Sequence, residues 1–98
     1  MKKIVMLAAV AGFALSTNVM AQDGKAVYEK SCVTCHSIGL AGAPKFQNKA
    51  EWAPRLAKGM DALVASVNNG LNAMPAKGAC IDCNDEDYKA AIQYMSGQ

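Results

Sequence analysis

Beyond residue 22 the apolar residues recur at intervals of three and four, and no stretch alternates residue by residue as a half-buried strand would. Asp23 stands where a helix N-cap would, and Gly24, Tyr28, Cys32 and Cys35 follow at helical spacing, so the pattern predicts a first helix that ends at the run SCVTCHS. SIGLAGAPKFQNK, with Gly39, Gly42 and Pro44, reads as a loop. A short helix is expected within EWAPRLAK, with Pro54 tolerated only in its first turn and Gly59 as its stop. Met60, Leu63, Val64 and Val67 then lie on one helical face, closed by Asn68-Asn69-Gly70. LNAMPAKGACIDC is irregular, because Pro75 and Gly78 interrupt it. The last helix begins at Asn84, carries Asp85, Glu86 and Asp87 where the helix dipole favours anions, and ends near Gly97. Its apolar face is Tyr88, Ala91, Ile92 and Met95. The expected fold class is therefore all-α, in one small domain without internal repeats.

The first 21 residues follow a different pattern. MKK precedes the twelve-residue apolar run IVMLAAVAGFAL, a polar Ser16-Thr17-Asn18, and the small-x-small sequence Val19-Met20-Ala21. This is the arrangement of a secretory signal peptide cut before Gln22. A membrane anchor would need about 20 apolar residues. No cysteine follows the cut site for a lipid anchor, and no arginine pair marks the twin-arginine route. The domains are then 1–21, a removed signal, and 22–98, exported to the periplasm.

Cleavage changes the charge. Lys2 and Lys3 leave with the signal, so the ten basic residues of the chain become eight, against eight acidic ones. The eight that remain are scattered, whereas a nucleic-acid binder needs a clustered basic surface. Nucleic acid is excluded as a partner. Removing 21 of 98 residues leaves 77, below the size at which an apolar core is usually enough without a staple. Something besides side chains is expected to fill the core.

The candidate chemistry is Cys32-Val-Thr-Cys35-His36, which contains the only histidine of the chain. C-x-x-C-H serves covalent haem attachment, and parts of it serve zinc knuckles and dithiol enzymes. Cys32 and Cys35 at i and i+3 of a helical turn face the same way and can reach the two vinyl groups of one haem, with His36 supplying the first iron ligand. Zinc would use both pairs, adding Cys80 and Cys83, but 44 residues separate the pairs where about 15 to 20 is usual, and His36 would be idle. A thioredoxin-like dithiol requires strands that the pattern does not offer.

A low-spin haem needs a second axial ligand, and with one histidine it must be methionine or the site is open. Met60 and Met95 sit on apolar helix faces, where methionine is usually core filler. Met74 lies in NAMPAKG, stiffened by Pro75 and flanked by small residues that allow close approach to a flat ring. Met74 is the expected ligand.

The run Cys32-Val-Thr-Cys35-His36, with Gly42-Ala-Pro44, Trp52-Ala-Pro-Arg55 and Asn72-Ala-Met74-Pro75, resembles the class I c-type cytochromes, and AMPAKGACIDC with the acidic start of the last helix resembles the cytochrome c5 group. The resemblance spans essentially all of residues 22–98. It implies a small cytochrome c fold of about four short helices around one covalently bound haem c. The first and last helices would cross, bringing Gly24 and Tyr28 to the face around Ile92 and Tyr94. It further implies that the Pro44 carbonyl accepts a hydrogen bond from His36, and that Trp52 and Arg55 either contact the haem propionates or serve as a core aromatic and a solvated charge. The second pair, Cys80 and Cys83, would form a disulfide that pins the segment between Met74 and the last helix.

The expected function is that of a periplasmic one-electron carrier, not an enzyme, with His36 and Met74 on the iron. Its partners would be transient redox proteins such as a respiratory reductase or a terminal oxidase, membrane-bound complexes included, and the chain would be a monomer or weak dimer. Ala41, Gly42, Ala43, Ala73 and Ala76 would form an apolar rim, with Lys45 and Lys77 orienting an acidic partner. The alternative is a ligand-binding or peroxidase-like haem protein whose sixth position is labile.

Overall fold

A computed structural model of the chain describes residues 22–98; the expected signal segment lies outside the described residues. The helices are α1 (Gly24–Val27), α2 (Val33–His36), α3 (Lys49–Leu56), α4 (Met60–Asn69) and α5 (Asp85–Ser96). A π-helical turn, Tyr28–Cys32, joins α1 to α2 without a break, so the polypeptide makes four principal helical runs. Single 3-10 turns occupy Leu40–Gly42 and Ala76–Ala79. Among the described residues there is no strand, only an isolated bridge between Leu71 and Met74.

Local chemistry explains most boundaries. The Asn84 side chain accepts from the Asp87 N–H, and the Asp87 carboxylate accepts from the Asn84 N–H, each at 2.9 Å, which satisfies two donors that a helix start leaves unpaired. Gly97, with φ of 81°, stops α5 in the left-handed conformation that glycine adopts without strain. Asp23 is the N-cap residue of α1, but it contributes its carbonyl, to Val27 N–H at 3.0 Å, and no side-chain bond.

α3 corrects the sequence expectation. It starts at Lys49, so Pro54 is its sixth residue rather than a first-turn residue. The early start comes from Asn48, whose side chain accepts from the Glu51 N–H at 3.1 Å. Pro54 deprives the Ala50 carbonyl of one helical bond, and Ala50 is exposed, so water can replace it.

α1 and α5 pack most extensively. A Cβ on Gly24 would overlap the carbonyl of Ala90, and Tyr28 meets Tyr94 with ring centroids 5.6 Å apart. Phe46 completes an aromatic cluster, 4.8 Å from Tyr28 and 5.1 Å from Tyr94. The core comprises Val27, Tyr28, Trp52, Val64, Cys80, Cys83, Tyr88, Ala91, Ile92 and Met95. All of these except Tyr28, Val64 and Cys83 also line one large cavity. The core is thus a shell around a space, which is how 77 residues with few large side chains make a domain.

Candidate functional site

α2 carries the C-x-x-C-H run to the cavity. Cys32 is its N-cap residue, at the end of the π-helical turn, and π turns recur at functional sites because the extra residue re-aims side chains. Cys32, Cys35 and His36 all line the cavity, and neither cysteine is in a disulfide. Burial, and next the neighbouring Cys35, push the Cys32 thiol up to about 11. It is protonated at neutral pH.

His36 is oriented from two directions. Its Nδ1 lies 2.9 Å from the Pro44 carbonyl oxygen. A carbonyl can only accept, so Nδ1 carries the hydrogen and Nε2 is left with the lone pair. The ring stacks on Trp52, with centroids 5.8 Å apart and planes 20° apart.

The loop that supplies Pro44 is itself held by α3. Trp52 Nε1–H donates to the Lys45 carbonyl at 2.9 Å, the Glu51 carboxylate accepts from the Lys45 N–H at 2.8 Å, and the Phe46 N–H donates to the His36 carbonyl at 2.7 Å. The one donor of Trp52 is therefore engaged with Lys45, and its buried ring also lines the cavity. Arg55 lines the cavity and donates from Nη1 to the Glu51 carbonyl at 2.6 Å and from Nη2 to the Gly42 carbonyl at 3.5 Å. Glu51 was absent from the sequence expectations, since nothing in its local pattern links it to a loop six residues earlier.

Met74 lines the cavity as well. Leu71 and Met74 exchange backbone hydrogen bonds of 2.8 and 3.0 Å, closing a tight turn with Asn72 at φ of 54°. Gly70, at φ of 85°, admits this turn; a side chain there would press on the Met74 carbonyl. Of the other two methionines among the described residues, Met95 is buried in α5 and Met60 packs partly buried against the core from α4.

Cys80 and Cys83 are joined as a disulfide, and both are buried. Tyr88 donates its hydroxyl to the Cys80 carbonyl at 3.0 Å, and Lys30 pairs with Asp82 at 2.8 Å. The bridge thus ties the Met74 segment to α5 and, through Asp82, to the π-helical turn.

Of the expected rim, Ala41, Gly42 and Ala73 line the cavity and are exposed, Ala43 lines it half-buried, and Ala76 is exposed but does not line it. Leu40 and Leu71, 49% and 51% exposed, belong to the rim too. Each stands outside the helical periodicity, so only the fold gathers them. Lys58 and Lys77 line the cavity, whereas Lys45 does not.

The cavity measures about 770 Å³, within the range of about 300–1,000 Å³ typical of cofactor sites. Its walls are chiefly apolar, with two free thiols, one histidine and two thioethers, those of Met74 and the buried Met95, at the surface of a single space. Residues and volume fit a haem attached at two cysteines.

Comparison with known proteins agrees. The family model described as "Cytochrome C oxidase, cbb3-type, subunit III" matches residues 19–95. Cytochrome c-555 of Chlorobaculum tepidum is 46% identical over 93% of both chains. Cytochrome c5 of Azotobacter vinelandii is 51% identical over 79% of this chain and 95% of its own. Among solved structures, a mono-haem ferrocytochrome c from Shewanella putrefaciens is 64% identical, with a TM-score of 0.70 over 79% of this chain and 95% of its own. A cytochrome c solved in an electron transfer complex with nitrite reductase is 40% identical, with a TM-score of 0.71 over 80% of this chain and 96% of its own.

Proposed function

Because the chain belongs to the monohaem c-type cytochromes, electron carriers with one covalently attached haem c, we propose that it shuttles single electrons between periplasmic redox proteins through an iron held by His36 and Met74, and that it transforms no substrate of its own. The observation that carries this reading is the common wall: Cys32, Cys35, His36 and Met74 come from two distant segments and line one apolar cavity.

Haem c, when bound, supplies the one-electron chemistry. The chain supplies the rest. Cys32 and Cys35 would hold the group by thioether bonds at its two vinyl positions. His36 presents Nε2, and its bond to Pro44 fixes the ring and makes that nitrogen a stronger donor. Met74 offers a soft sulfur that favours the reduced metal, on a turn closed by Leu71. The walls built from Val27, Ala91, Ile92 and Met95 keep water out. Arg55 places a positive charge at the wall, suited to a propionate.

The exposed rim of Leu40, Ala41, Leu71 and Ala73, flanked by Lys58 and Lys77, suits brief docking of an acidic redox protein. The complex that a related cytochrome c forms with nitrite reductase supports a reductase as partner. Export is supported by the signal pattern of residues 1–21, and no helix among the described residues is long and apolar enough to cross a membrane.

Acid-acetone extraction and visible spectroscopy of the exported protein test the reading. The colour should stay with the protein, and the reduced form should be six-coordinate and low-spin. Colour passing into the organic phase removes the covalent attachment, and free binding of carbon monoxide by the wild type moves the function to a sensor or peroxidase.

A further inference from the structure

Asp87 is a buried carboxylate, 3% exposed, that the haem chemistry does not use. One of its bonds is the capping interaction with Asn84. The other two go to a single residue: the Gln22 backbone nitrogen lies 2.7 Å from Oδ1, and Gln22 Nε2 lies 3.1 Å from Oδ2. Gln22 is also the residue that the small-x-small pattern places first after cleavage. Hydrolysis of the Ala21–Gln22 bond would convert that backbone nitrogen from an amide donor into an α-ammonium already seated on a carboxylate.

We propose that Asp87 is the anchor for the amino terminus of the mature protein, binding the α-ammonium of Gln22 at one oxygen and its side-chain amide at the other, and that this seat keeps the terminal glutamine from cyclising. The inference rests on cleavage before Gln22. Cyclisation forms a bond between the α-nitrogen and Cδ of Gln22, breaks Cδ–Nε2 and releases one ammonia; it requires the unprotonated amine as nucleophile. A carboxylate at hydrogen-bond distance from the Gln22 backbone nitrogen favours the protonated amine, which leaves less of the terminal nitrogen free to attack. The seat is built by the fold. Gly24 lets α1 approach Ala90 of α5, which brings residue 22 to the start of that helix.

The test is intact-mass analysis of the exported holoprotein during prolonged incubation at neutral pH, beside a free peptide of residues 22–27. The expected mass is residues 22–98 plus haem with the ammonia retained, and ammonia loss slower than in the peptide by about tenfold or more, since the carboxylate stabilises the unreactive protonated amine. Asp87→Asn should lose ammonia at close to the peptide's rate. A chain that begins at Gln22 but cyclises as fast as the peptide overturns the anchor and leaves the cleavage reading intact. A chain that begins elsewhere overturns both. The wild-type comparison with the peptide stands by itself if Asp87→Asn fails to fold, and equal protection in a folded Asp87→Asn also overturns the anchor.

Discussion

Gly24 in α1 meets the carbonyl of Ala90 in α5 so closely that a methyl group has no room between them. Backbone lies on both sides, so no side chain can turn away to relieve the overlap. Gly24→Ala should therefore separate the two helices and cost about 3 kcal/mol, the upper end for overpacking. Thermal melts of the purified holoprotein check this, and a melting temperature equal to that of the wild type would show that the crossing is looser than the structure has it.

Met74→Ala should open the sixth coordination position, lower the potential and let the reduced protein bind carbon monoxide rapidly. Met60→Ala, on a partly buried side chain of α4, should leave the spectrum unchanged and cost about 2 kcal/mol of stability, the lower end for methionine truncation. The weak near-infrared absorption of a ferric iron–thioether bond distinguishes them: it should vanish in the first variant and persist in the second. Its persistence in Met74→Ala would assign the ligand elsewhere.

Replacing both Cys80 and Cys83 with alanine should leave the haem spectrum nearly intact and lower stability by about 2 kcal/mol, as expected for a four-residue loop. Hydrogen exchange should rise most between residues 71 and 83, which the bridge ties to Tyr88 through the Cys80 carbonyl. A loss of disulfide-reductase activity in the variant would instead mark the pair as catalytic.

Burial opposes the charge on Asp87, but the backbone N–H groups of Asn84 and Gln22 and the Gln22 side chain together hold its carboxyl below the usual range. A depressed folded value means the contribution is fully present above the unfolded pKa of about 3.9 and is lost as the pH falls through the folded value. Asp82, lowered by its bond to Lys30, acts in the same direction from an exposed position. Stability should thus be nearly level above about pH 5 and fall in acid. Asp87→Asn should be less stable at neutral pH and fall less steeply below it. Melting curves between pH 3 and 7 test this, and parallel profiles for the two proteins would remove Asp87 from the acid dependence.

The sequence by itself determined what is local. The helices at 60–69 and 85–96 follow from apolar spacing and from the capping residues Asn84 and Gly97, because both signals act within a few residues. The candidate haem residues Cys32, Cys35 and His36 were named from one short motif, and Met74 by setting aside the methionines on helix faces; the fold puts all four on one cavity wall. The position of Pro54 was misjudged, because one capping bond from Asn48 outweighs the preference of proline for a first turn. Only the tertiary structure decided the rest. The engagement of Trp52 with Lys45, the brace of Glu51 on the histidine loop, the rim leucines at 40 and 71, and the seat of Gln22 on Asp87 all join residues whose neighbourhood is set by how helices cross and loops return. Hydrogen bonds of this kind depend on positions to within a few tenths of an ångström, and residue order along the chain carries no such distances.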